Sequence, residues 1–166
     1  MATRTDVTAT VPHAPEKVHE ALSSNEYWTW LAQNMSSPAG EVTSFSSGEH
    51  TEVSIDQQLP TDELPDAVKG FVQNGLTVAR KVSWGPLDAD GATATVSAEV
   101  SGFPVSFTGS QKLAPEGDGS AISASVDVTV SIPMMGAMLE PKVAGAVQGL
   151  FEREAEMLAR YISERS

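Results

Sequence analysis

Residues 134–165 read MMGAMLEPKVAGAVQGLFEREAEMLARYISER. At about 100° per residue, Leu139, Val143, Val147, Leu150, Phe151, Leu158, Tyr161 and Ile162 gather on one side, the spacing of a long helix with one apolar face. Two carboxylates interrupt that face: Glu154 projects near its middle, between Leu150 and Leu158, and Glu140 projects onto its edge. An unpaired charge is costly to bury. A helix that aims carboxylates inward is therefore expected to roof a partly polar cavity rather than a solid core.

Working back from that helix, Ala121–Ile132 alternates cleanly, with Ile122, Ala124, Val126, Val128, Val130 and Ile132 on one face and Ser123, Ser125, Asp127, Thr129 and Ser131 on the other. That is a half-buried strand. Similar patterns predict strands over 3–11, 41–45, 51–59, 76–84, 92–101 and 103–113. Ser46-Ser47-Gly48-Glu49, Asp88-Ala89-Asp90-Gly91 and Glu116-Gly117-Asp118-Gly119 read as connections short enough to make neighbouring strands antiparallel. Pro15-Glu16 suits the first turn of a helix over 15–23, a second short helix spans 26–33, and Asp66–Val72 reads as a helical insertion. The order is strand, two helices, six strands and a long terminal helix. An α+β fold, a curved seven-stranded antiparallel sheet wrapped around the last helix, accommodates that order. No repeat or linker divides residues 1–166, which read as one domain.

Composition narrows the function. The chain has 22 acidic and 10 basic side chains and a net charge of −12, which repels phosphate backbones and anionic bilayers, so no nucleic-acid partner is expected. The absence of cysteine removes disulfides, thiol nucleophiles and thiolate metal sites. His13, His19 and His50 are scattered and lack metal-ligand spacing, so no metal and no cofactor are expected. The polar start has no apolar leader, and the tract 132–151 is broken by Glu140, Pro141, Lys142 and Gln148. These features predict a cytoplasmic protein without integral membrane association.

The segment Pro12-His13-Ala14-Pro15-Glu16-Lys17-Val18 followed by Tyr27-Trp28, together with the order of elements, resembles the START-like, Bet v 1-like (SRPBCC) superfamily. Leu64-Pro65, Val82-Ser83-Trp84, Gly109-Ser110-Gln111-Lys112-Leu113 and Ile132-Pro133-Met134-Met135-Gly136 with Glu140 are similar to an uncharacterised actinobacterial family within it. The resemblance covers essentially the whole chain and implies the helix-grip fold, with a cavity between sheet and helix. It implies lipids, polyketide-like aromatics or isoprenoids as ligands, and cyclase or dehydratase activity in some members. Pro141 departs from the pattern and predicts a kink or a later helix start.

On the strands, the face turned to the helix carries a few polar residues among apolar ones. Arg80 lies between Val78 and Val82, Gln57 between Ile55 and Leu59, and Gln111 between Gly109 and Leu113. A sparse polar set in apolar walls is the usual make-up of a small-molecule site. Glu154, Arg80, Gln57 and Gln111 are the candidate polar contacts, with Arg80 and Glu154 expected to pair; Phe107, Trp84, Trp28, Val147, Leu150 and Phe151 are the candidate walls. Ala94, Ala98, Gly109 and Ala124 leave volume for either a closely packed helix or a ligand. Met134, Met135 and Met138 with Tyr27, Trp28 and Trp30 are candidates for an adaptable mouth. The function expected is binding of a small apolar molecule. Two alternatives stay open: a cyclase- or dehydratase-like enzyme using a cavity carboxylate, and a protein-interaction module with a filled core.

Overall fold

Nine residues that alternate in polarity form β1, Thr3–Val11, and Pro15 at the first helical position opens α1, Pro15–Leu22, whose buried side is Val18, Ala21 and Leu22. The chain continues through α2 (Asn25–Met35), β2 (Glu41–Ser46), β3 (Thr51–Leu59), β4 (Leu76–Trp84), β5 (Ala92–Ser101), β6 (Val105–Glu116), β7 (Gly119–Val130) and α3 (Gly136–Arg165). The computed structural model describes residues 3–35, 40–59, 76–101, 104–132, 134 and 136–165; the helical insertion expected at 66–72 lies outside them.

The seven strands form one antiparallel sheet in the order β1-β7-β6-β5-β4-β3-β2, the helix-grip arrangement in which α3 packs along β1 and β7. Because side chains alternate across a strand, register alone assembles rows on the inner face. One row runs Ile55, Arg80, Ala98, Phe107 and Val128 across five strands, and another runs Thr51, Trp84, Ala94, Gln111 and Ala124. All ten are buried, while the intervening Lys81, Ser97 and Thr108 face out and are exposed. Among the described residues, no helix is long and apolar enough to cross a membrane.

Four features differ from the expectations above, each for a local reason. The β6–β7 hairpin pairs as far as Glu116 and Gly119, because the positive φ of Gly117, 58°, lets a two-residue loop close the ladder. Gly109 leaves no room: a Cβ there would overlap the Ser125 carbonyl oxygen and sit 2.7 Å from Val126 Cα, so β7 already fills that space. The helix α3 starts before Pro141, at Gly136, whose N–H donates to the Ile132 carbonyl at 2.8 Å, and it runs through the proline. Glu140 faces neither the interior cavity nor solvent. Its carboxylate accepts the Val130 N–H and the Thr3 hydroxyl, both at 3.1 Å, and so fastens the start of α3 to β7 and β1.

Two glycine substitutions separate these roles. Gly109→Ala is expected to lower stability by about 1–3 kcal/mol through overpacking. Gly145→Ala, whose Cβ meets open space on α3, should raise it by about 0.5–1 kcal/mol through helix propensity. Urea unfolding midpoints of the two variants check both signs.

Candidate functional site

Arg80 stands at the centre of β4 and points inward because Lys81 and Ala79 take the outer face. Glu154 occupies the matching place on α3, between Leu150 and Leu158 on the stripe that covers the sheet. The two meet at 2.5 Å, Arg80 Nη1 donating to Glu154 Oε2, with their side chains 0% and 10% exposed. Apolar groups enclose the pair. Ile55 and Ala98 flank Arg80 in register, and Phe107 meets Phe151 of α3 edge to face with ring centroids 6.3 Å apart.

A third polar group joins from α2. Tyr27 is fully buried, stacked edgewise on Trp28 and on Tyr161 of α3 with centroid distances of 5.2 and 5.1 Å. Burial and then the negative charge of Glu154 push its phenol well above the ordinary tyrosine range, the Arg80 charge acting in the opposite sense. It is therefore a neutral hydroxyl. Tyr27 Oη, Trp84 Nε1, Arg80 Nε and Arg80 Nη2 are all buried and make no hydrogen bond among the described residues.

Tyr27, Trp84, Gln111, Glu154 and Phe151, with Leu22, Ile122, Ala155 and Leu158, line an internal void of about 20 Å³. That is room for about one water molecule. The rings of Trp84, Tyr27 and Phe151 pack around this void. Wider hollows lie on the opposite face of the sheet, over Ser54, Lys81, Ser97 and Thr108.

Of the residues singled out from the sequence, Glu154, Gln111, Trp84 and Phe151 share the void, Arg80 joins through its ion pair and Phe107 through its ring contact. Gln57 is buried on β3 opposite Val78, one inward position beyond the Arg80 row, and does not line the void. Trp28 lies behind Tyr27 and donates its indole N–H to the Leu22 carbonyl at 2.8 Å, joining α1 to α2. Val147 and Leu150 are buried on α3 outside the void lining. The proposed apolar mouth does not form as a unit. Met134 and Met138 are exposed at the start of α3, while Tyr27 and Trp28 are buried near its end.

Tyr27, Leu22, Ile122, Ala155 and Leu158 complete the lining and were not among the candidate contacts. Helical spacing placed Leu158 on the apolar stripe, but nothing in spacing tells which part of the interior that face meets. Two of the three histidines make contacts within the scaffold: His19 Nε2 donates to the Gly85 carbonyl at 2.9 Å, and His13 Nε2 lies 3.0 Å from Ser163 Oγ. Among the described residues, no group of three or more histidine or acidic side chains could hold a metal ion.

Removing one member of a buried pair strands the other, whereas replacing both with apolar groups is often neutral. Arg80→Met and Glu154→Leu should each destabilise by about 3–5 kcal/mol, and the double variant by far less than the sum; a urea double-mutant cycle measures the coupling. The folded state also holds the Tyr27 proton more tightly than the unfolded chain does. This contribution to stability is complete below about pH 10 and is lost as pH rises through the folded value. Unfolding curves above pH 10 should accordingly show a shallower alkaline loss in Tyr27→Phe.

Three comparisons place this geometry. An uncharacterized protein of Mycobacterium tuberculosis is 28% identical, over 95% of each chain. The crystal structure of Ara h 8.0201 superposes with a TM-score of 0.58 at 16% identity, covering 99% of both chains. The aromatase/cyclase Zhui from Streptomyces sp. R1128 gives 0.63 at 10% identity, covering 99% of this chain and 96% of the other. At those identities the two structures share the helix-grip fold with this chain. The model of the family described as "Protein of unknown function (DUF2505)" matches residues 6–162, and the chain belongs to that family.

Proposed function

We propose that the protein binds a small, largely hydrophobic molecule between the inner face of the sheet and α3. The observation that carries this reading is the buried Arg80–Glu154 pair, set with Tyr27, Trp84 and Gln111 among apolar walls. A sheet closed by α3 alone could be packed with aliphatic side chains at lower desolvation cost. A few converging polar groups in an apolar chamber are instead the composition of a site that orients a ligand. Phe151, Trp84 and Leu158, which line the void of about 20 Å³, supply the apolar surface against which such a molecule would lie. Apolar burial at about 25 cal/mol per Å² supplies the driving force.

The fold is shared with an aromatase/cyclase, which makes a reaction at the same chamber the second reading. Geometry favours binding over proton transfer, because the Glu154 carboxylate is committed to Arg80. A third reading, a filled core serving protein interaction, draws its support from the small size of the void.

Native mass spectrometry of protein isolated from its own host separates these readings. The expected result is a non-covalent small-molecule adduct that leaves on denaturation. Ala155→Phe, which fills the void from α3, should carry none while keeping its secondary structure by circular dichroism. Unliganded protein that also fails to take up added hydrophobic compounds would favour the filled core.

A further inference from the structure

Three side chains of the chamber carry buried polar hydrogens without a partner among the described residues. Arg80 presents Nε and Nη2, both buried and outside any hydrogen bond among the described residues, and a guanidinium can only donate. Trp84 Nε1 is likewise a pure donor, and Tyr27 is held as the neutral hydroxyl. These three side chains are 1%, 2% and 0% exposed, so solvent at the surface does not satisfy them. Two of the three, Tyr27 and Trp84, line the same void. A buried donor without an acceptor is costly, and a partner that supplies the acceptor recovers that cost.

Charge decides which acceptor. The Arg80 charge is already matched by Glu154, and Glu154 itself forms part of the void wall. A carboxylate or phosphate placed there would lie against a like charge, in a chain of net charge −12. A polar end that only donates would leave the Trp84 and Arg80 N–H groups unpaired. Resting on the binding reading above, we infer that the polar end of the ligand is an uncharged carbonyl, as in a ketone, ester or quinone. Its oxygen accepts from the Tyr27 hydroxyl and the Trp84 indole while the apolar body lies against Phe151 and Leu158.

Three probes of equal heavy-atom count test this: 2-acetylnaphthalene, 2-isopropylnaphthalene and 2-naphthoate, titrated into the intact protein and followed by NMR. The ketone is expected to bind at least about tenfold more tightly than either of the others. That preference should fall toward unity in Tyr27→Phe and in Trp84→Phe, both of which keep an aromatic ring in place. Equal affinity for ketone and hydrocarbon, or tightest binding of the naphthoate, would overturn the carbonyl assignment and leave the hydrophobic site standing. If none of the three enters the interior, the binding reading fails and the carbonyl assignment fails with it.

Discussion

A guanidinium and a carboxylate 2.5 Å apart inside an apolar shell are the constraint around which this fold is arranged. Each ion gives up several kcal/mol of hydration on burial, and their mutual attraction offsets that loss only in good geometry. Good geometry in turn requires that β4 and α3 keep their separation and phase. The register of β3, β4 and β5 fixes Arg80 on the inner face, and the fastening of α3 by Glu140 to Val130 and Thr3 sets the start of the helix that carries Glu154. The two carboxylates on the stripe of α3 thus have different tasks. One anchors the helix to the sheet, and the other balances a charge inside it.

Arg80 still presents two nitrogens beyond its bond to Glu154, and Tyr27 and Trp84 add two further buried donors nearby. A chamber that is electrically neutral yet rich in donors is poorly matched to a purely hydrocarbon filling, which would leave those donors unpaired. It is well matched to an apolar molecule bearing a neutral acceptor. The side chains lining the void come from six elements, α1, α2, β4, β6, β7 and α3.

Much of this was legible in the sequence because two periodicities carry it. Alternation defined the strands and, with them, the inward set that includes Arg80, Trp84 and Gln111; helical spacing placed Glu154 in the stripe of α3. A charged residue that interrupts such a pattern is conspicuous, and the pair could be read as two interruptions facing each other. What escaped depends on contacts between distant residues. Glu140 finds Thr3 from the opposite end of the chain, Gly109 is small because β7 crosses close to it, and Tyr27 reaches the chamber through the angle at which α2 meets α3. The size of the void depends on how Trp84 and Phe151 fill space, which no spacing encodes.

The indole resonances of the protein test the central claim directly, because the tryptophans differ in what their N–H groups do. Trp28 donates to the Leu22 carbonyl, whereas the Trp84 N–H is buried without a partner among the described residues. On titration with 2-acetylnaphthalene, proton–nitrogen correlation spectra should show the Trp84 indole proton moving downfield as it gains an acceptor, with the Trp28 proton nearly still. A stationary Trp84 signal at saturating ketone, or a response confined to the half-buried Trp30, would contradict the account.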